Sequence, residues 1–177
     1  MRITRSVLVL ALLLIPALSL ALKLQTDRDV GVNFLNFTTY AWCDGARVSN
    51  EALHDLIVRS IDGELNRKYL RRIEMNPDLY LTYHASTEEL TIDTSQWGYS
   101  FGLRWQWGGG MGKSTTTVQS YPKGTLVIDL WAAKTQKLVW RGAASGTLGD
   151  TAKNAEKAQR AIQNIFLSFP PQTQSPR

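Results

Sequence analysis

The chain has 177 residues, of which 44% are hydrophobic and 20% are charged, and its formal net charge is +5 at pH 7. A chain of this length fits one domain with a sizeable core. Its single cysteine excludes an internal disulfide, so packing alone has to hold the fold. The small positive excess does not indicate a nucleic-acid partner.

Residues 1–21 have the pattern of a secretory signal peptide. Two arginines precede an apolar run over residues 7–22, and this run contains a small-x-small site at residues 19–21. The pattern predicts cleavage after Ala21 and export of the mature chain to the periplasm. An uncleaved signal that anchors the protein in the inner membrane is the alternative. No lipid-attachment cysteine follows the run, because Cys43 lies too far along the chain.

Two strands and one helix are predicted in the first part of the mature chain. Residues 23–29 and 38–42 have the composition of strands. Ser49 or Asn50 then offers an N-cap for a helix that is expected to end near residues 68–72. The apolar face of this helix consists of Leu53, Leu56, Ile57, Ile61 and Leu65.

Further strands follow this helix. Residues 79–84 alternate between apolar and polar side chains, which is typical of a strand with one buried face. Residues 125–131 and 138–143 are rich in β-branched and aromatic side chains, and the turn-forming residues 133–136 separate them. This pattern predicts a β-hairpin.

A second helix is predicted after Asp150, which is its expected N-cap. Two prolines at residues 170–171 stop this helix. The single domain is therefore expected to span residues 22–171, with residues 172–177 as a disordered polar tail. The apolar face of the helix consists of Ala155, Ala158, Ile162, Ile165 and Phe169.

The balance of helices and strands predicts the fold class. Two helices are too few to cover both faces of the predicted sheet, so they are expected to pack on one face. The fold class is therefore α+β, a single two-layer domain with a mostly antiparallel or mixed sheet.

The segment at residues 97–107 alternates strictly between large apolar residues and small or polar residues. In a strand, all the large side chains would lie on one face. This face either lies in the core or is partly exposed as an interaction surface. We expect Trp105 and Trp107, which are nearest to the glycines at 108–112, to form a partner-contact surface, and Trp97 to lie in the core.

The glycine-rich residues 108–114 resemble a phosphate-binding loop only in part. Trp107 stands where the pattern requires its first glycine, and the β-branched run that follows is not typical of a helix. The sequence therefore predicts no nucleotide site.

Catalytic and metal-binding patterns are weak throughout the sequence. His54, His84 and Cys43 do not have metal-ligand spacing, so neither a metal site nor a cofactor is predicted. No Gly-x-Ser-x-Gly motif is present, and no catalytic residue is assigned. A triad that forms in space from distant residues remains open.

Four basic residues cluster at the end of the first predicted helix: Arg67, Lys68, Arg71 and Arg72. Cations at this position complement the helix dipole. Docking to anionic lipid or to lipopolysaccharide phosphate is the alternative role.

Several segments occur in the same order as in a known family: residues 26–29, 39–42, 77–84, 124–130, 137–143 and 166–170. The most specific is Leu-Val-Trp-Arg-Gly, at residues 138–142. Together they resemble the bacterial envelope family called domain of unknown function 4136. The resemblance implies an α+β domain among lipoprotein-like envelope proteins, with no established activity. A lipid anchor is not carried over, because this chain lacks the lipidation cysteine.

Four residues of the resembling segments have predicted structural roles. Asp129 and Arg141 lie on facing strands of the predicted hairpin, and a cross-strand pair is their simplest role. Trp140 and Ile128 belong to the apolar sets that alternate along these strands, so we expect both in the core.

The sequence therefore favours a non-enzymatic, periplasmic binding or assembly module of the cell envelope, with an envelope protein, a lipid or a glycan as its partner. A hydrolase that acts on an envelope polymer is one alternative. A self-associating structural protein that uses the aromatic strand as an edge is another.

Overall fold

The computed structural model describes residues 22–44, 47–86, 90–93 and 118–170. The predicted signal peptide (1–21), the aromatic segment with its glycines (97–114) and the tail (172–177) lie outside the described residues. The regular elements are β1 (Lys23–Arg28), β2 (Thr39–Trp42), α1 (Glu51–Arg67), β3 (Arg71–Arg72), β4 (Leu79–Ser86), β5 (Leu90–Asp93), β6 (Val118–Tyr121), β7 (Thr125–Ala132), β8 (Lys137–Ser145) and α2 (Thr151–Leu167).

Six strands form one mixed sheet in the order β1-β8-β7-β4-β2-β3. The neighbours from β1 to β4 are antiparallel, whereas β2 runs parallel to both β4 and β3. Both helices pack on one face of this sheet and share a single apolar core with it. The predicted two-layer α+β fold is therefore confirmed.

Both helices begin at the predicted caps. The Asn50 side chain accepts a hydrogen bond from the Leu53 amide at 2.9 Å, and Asp150 accepts one from the Lys153 amide at the same distance. These bonds satisfy amides that the first helical turn leaves without a partner. In the described part of the chain, no helix is long and apolar enough to cross a membrane.

The core on the helix side forms where the alternating strand residues meet the two helices. Its largest group is aromatic: the Trp140 ring stacks on Phe166, with centroids 5.5 Å apart, and meets Phe169 edge-on at 5.1 Å. Gly142 is required beside it, because a Cβ there would lie 2.3 Å from Ile165 Cγ2. Trp140 and Ile128 are both fully buried.

The buried face of α2 differs from the predicted one near its beginning. Ala155 and Ala158 are only partly buried, whereas Ala161 and Phe166 are buried together with Ile162 and Ile165. The physical reason at Ala158 is that the first turns of α2 border a cavity instead of closely packed side chains.

A second ladder, between β5 and β6, prolongs the antiparallel strand pair β4–β7. The last β4–β7 pair is Ser86 with Thr125, and the first β5–β6 pair is Leu90 with Tyr121. Three residues separate the two ladders on each side, so the pairing of β5 with β6 continues the register of the β4–β7 pair after a break. We call this two-stranded ladder the arm.

The central position of Trp140 gives a direct test of the core. Replacing Trp140 with alanine should lower the free energy of unfolding by about 3–5 kcal/mol, because it removes a large buried side chain and leaves a cavity. Urea denaturation measures this change. Leu167→Ala is the control, since Leu167 is 80% exposed, and its effect should stay within about 0.5 kcal/mol. Equal urea midpoints for the two variants would contradict this view of the core.

Candidate functional site

A buried ion pair crosses the hairpin on the sheet face that the helices do not cover. Asp129 of β7 lies directly opposite Arg141 of β8. Arg141 Nε donates to Asp129 Oδ1 at 2.6 Å and Nη2 donates to Oδ2 at 2.5 Å, so the contact is bidentate. Asp129 is 0% exposed and Arg141 is 5% exposed. The sequence indicated that these residues face each other, but not that they are buried.

Tyr121, the last residue of β6, joins the arm to this ion pair. Its ring packs on Val127 and Ala143, and its hydroxyl accepts a hydrogen bond from Arg141. Burial raises the pKa of the Tyr121 hydroxyl. Burial acts to lower the pKa of Arg141, but Asp129 and Tyr121 outweigh it, so the guanidinium stays charged.

A second contact fixes the break between the sheet and the arm. The Thr125 hydroxyl donates to the Pro122 carbonyl oxygen at 2.7 Å. Because a hydroxyl has one proton, the Ser145 hydroxyl is then the donor in its 2.8 Å contact with Thr125. The short segment that leads from β6 into β7 is therefore tied to the end of β8.

His84 lies beside the ion pair on β4. Its Nε2 atom is 4.0 Å from Asp129 Oδ2. Burial lowers the pKa of His84, Asp129 acts in the opposite direction, and Arg141 adds to the lowering. The net direction is downward, so the imidazole is neutral near pH 7. The sequence analysis missed this proximity, although His84 and Asp129 occupy positions on one sheet face.

The cluster is arranged for structure more than for proton transfer. Both oxygens of Asp129 accept hydrogen bonds from Arg141, so this carboxylate is engaged by a permanent cation. Bidentate pairs of this kind fix the orientation of both side chains. The arrangement therefore holds Tyr121, and with it the base of the arm, against the sheet.

Cys43 and Trp131 form a small apolar cluster on the same sheet face, together with Tyr80 and Leu138. Cys43 follows β2 and is half-buried, and burial raises the pKa of its thiol to about 12, with a further contribution from Asp44. A protonated thiol is a poor nucleophile.

Other groups that the sequence singled out make internal contacts. His54 Nδ1 lies 2.6 Å from the Tyr83 hydroxyl oxygen, within hydrogen-bonding distance. Within the basic cluster, Arg67 pairs with Glu64, and Arg72 pairs with Asp62 at 3.1 Å. Among the described residues there is no group of three His, Cys, Asp or Glu side chains that could hold a metal ion.

Trp105 and Trp107, the predicted contact residues, lie outside the described residues, in the part of the chain between β5 and β6. Their role remains a prediction. The structure describes the two strands that lead into this part and the polar contacts at the base of those strands.

Comparison with known proteins places the chain in a family without an assigned activity. The family model described as Domain of unknown function (DUF4136) matches residues 24–171. No curated protein matches the chain.

Several solved structures are similar to the chain, among them the following three. A PDZ domain protein from Parabacteroides distasonis ATCC 8503 is 18% identical with a TM-score of 0.52, and the match covers 83% of this chain but 35% of that one. This chain therefore spans about a third of that protein, and the likeness concerns the fold alone. Two PelC dodecamer structures from Paraburkholderia phytofirmans are each 9% identical, with TM-scores of 0.49 and 0.48, and each match covers 82% of this chain and 94% of that one.

The ion pair can be tested with a double-mutant cycle. Arg141→Met leaves the Asp129 carboxylate buried without its cation, so the free energy of unfolding should fall by about 3–5 kcal/mol. Adding Asp129→Leu removes the stranded charge, and the double variant should lose less than the sum of the single losses. Urea unfolding of the four proteins measures the coupling.

The control for this cycle is an exposed ion pair. Arg160 and Glu156 pair on the surface of α2, and Arg160→Met should cost less than about 1 kcal/mol. Additive effects at residues 129 and 141 would show that the buried pair is not coupled.

The lowered pKa of His84 predicts a dependence of stability on pH. Below about pH 6.5 the unfolded chain protonates this histidine more readily than the folded chain does. The stability that neutral His84 contributes is therefore present above that pH and is lost as the pH falls. Between pH values of about 7.5 and 5.5, the wild type should lose more unfolding free energy than His84→Gln. Parallel urea titrations measure both losses, and equal losses would contradict the assignment.

Proposed function

The chain belongs to the DUF4136 family, and from the features of its described surface we propose that it is an exported, non-enzymatic binding or assembly module of the bacterial cell envelope. Its partner in this proposal is an envelope protein, a lipid or a glycan. The arm is the feature that supports a binding role most directly.

The arm extends the antiparallel strand pair β4–β7 of the central sheet. Its two strands keep the register of β4 and β7, and its base is held by the hydrogen bond between Tyr121 and Arg141. The contacts are those expected of an arm that is presented in a fixed direction.

The sequence supplies the contact surface at the end of the arm. The described strands of the arm end at Asp93 and resume at Val118. The alternating aromatic segment at residues 97–107 lies between these two positions. Aromatic side chains are enriched at interfaces because they combine a large apolar area with few rotatable bonds. In our proposal, Trp105 and Trp107 contact the partner.

Chemistry-bearing groups of the described domain are engaged inside it, which supports binding over hydrolysis. The Asp129 carboxylate is held by Arg141, the Cys43 thiol has a pKa near 12, and His54 bonds to Tyr83. A general base or nucleophile needs an accessible lone pair; Arg141 occupies both Asp129 oxygens, burial keeps the Cys43 thiol protonated, and Tyr83 engages the Nδ1 atom of His54.

The edge strands of the six-stranded sheet argue against self-association through those edges, whereas the predicted aromatic strand at residues 97–107, the edge of the self-association alternative, lies outside the described residues. The edge strand β1 has all six residues exposed, but three of them are charged: Lys23, Asp27 and Arg28. The opposite edge, β3, is only two arginines long. Charged and very short edge strands hinder pairing between sheets.

Export can be tested by the mass of the protein in the cell. We expect the form in the periplasmic fraction to begin at Leu22, because the small-x-small site ends at Ala21. Intact mass spectrometry measures the N-terminus. Ala21→Arg is the control that should block cleavage and leave the protein with the membrane fraction. A wild-type mass that includes Met1 would contradict cleavage and favour the anchored form.

The contact residues can be tested by capture from envelope extracts. Trp105→Ala and Trp107→Ala should each weaken capture of the partner while changing stability by less than about 1 kcal/mol. Trp97→Ala is the matched control, which should lower stability and leave the contact surface intact. Urea denaturation of each variant separates the two effects. Unfolding by both distal substitutions would show that the face is core throughout.

A further inference from the structure

An apolar cavity of about 110 Å³ lies at the end of the sheet where α1 and α2 begin. Leu53 and Ile57 of α1, Ala158 and Ala161 of α2, and Leu126 and Ala144 of the sheet form its inner wall. The loop between β8 and α2 forms its rim, where Leu148 is 45% exposed. The cavity therefore reaches from the helix-side core to the surface.

Because the cavity is open, its apolar lining stays in contact with water. A guest that covers this apolar surface gains free energy in proportion to the area that it removes from water. Small side chains leave the space at Ala144, Ala158 and Ala161, where a larger aliphatic residue would fill it. An apolar guest would occupy the same space.

A lysine holds a positive charge at the mouth of this cavity. Lys157 lines the opening, and its Nζ atom donates to the Thr147 carbonyl oxygen at 2.8 Å. The nearby Asp150 lies within reach of the Lys157 charge but pairs with Lys153, at 3.2 Å. Among the described residues, no carboxylate forms an ion pair with Lys157. Its ammonium group is thus fixed on the rim with hydrogen-bonding capacity to spare.

We propose that this cavity binds a medium-chain fatty carboxylate, with the terminal carbons of its alkyl chain inside, the rest of the chain along the open rim, and its head group on Lys157. An apolar cavity of about 150 Å³ binds benzene in another protein, so this one takes a chain segment of a few carbons and not a whole phospholipid. The apolar wall and the Lys157 ammonium group at the mouth match the two ends of such a molecule. The inference rests on observations separate from those behind the proposed envelope role.

Calorimetric titration of the detergent-free protein with octanoate tests the proposal. Octanoate should bind saturably at one site, and acetate, which has the head group without the chain, should not bind. Octanol reports on the chain alone. Absence of saturable octanoate binding would overturn the proposal.

Variants separate the two halves of the site. Ala161→Leu fills the cavity from α2, so it should weaken both octanoate and octanol at least about tenfold. Ala158→Leu does the same from a partly exposed position and keeps the test valid if the first variant does not fold. Binding of both ligands by a folded cavity-filling variant as by the wild type would overturn the proposal.

The head-group contact has its own matched control. Lys157→Gln should weaken octanoate about three- to fivefold and leave octanol unchanged. Lys153→Gln removes a charge one turn earlier on the same helix and should change neither ligand. Equal losses of octanoate affinity in the two variants would indicate general electrostatic attraction and would contradict a specific contact with Lys157.

Discussion

The buried ion pair between Asp129 and Arg141 is the constraint on which the sheet and its arm both depend. Moving two charges out of water costs several kcal/mol per ion, and only close geometry and further hydrogen bonds compensate for it. The bidentate contact and the Tyr121 hydroxyl supply these. The pair also fixes the register of β7 and β8, because a one-residue slip of either strand would place a charged side chain in the apolar core around Trp140.

Local sequence patterns were sufficient to predict both helices, the two layers and the strands β1, β2, β4, β7 and β8, whereas the short strands β3, β5 and β6 were not predicted. Helical spacing of apolar residues and the caps at Asn50 and Asp150 act within a few residues, so they can be recognised without the tertiary structure. Strand order depends on contacts between distant segments, and the sequence did not contain it. The exposed strand β1 pairs with β8, and β2 lies parallel to β4. The residue patterns of β1 and β2 do not indicate which strand each of them pairs with.

The burial of the sheet face that the helices do not cover was not predicted from the sequence. Alternation along β4 suggested that Thr82 and His84 face solvent, yet Thr82 is fully buried and donates to the Asp44 carbonyl oxygen. One signal was present: β7 is apolar at nearly every position except Asp129, and it is buried along its whole length. A lone charge in such a strand indicates a buried pair. The third member of the cluster, Tyr121, lies on β6, and its contact with Arg141 depends on how β6 is placed beside the sheet, which no local pattern encodes.

The break between the two ladders and the rim of the apolar cavity are in direct contact, through Gly124, which lies between β6 and β7, and the loop after β8. Gly124 adopts φ +73°, and a Cβ on it would lie 2.3 Å from the Gly146 carbonyl oxygen and 3.2 Å from the Leu148 side chain. The Gly146 amide in turn donates to the Gly124 carbonyl oxygen at 3.2 Å. Because interiors this closely packed transmit displacement, a guest that moves Leu148 acts on the turn from which the arm departs. Gly124 thus links the base of the arm to the rim of the cavity, and its position accepts only a residue without a side chain.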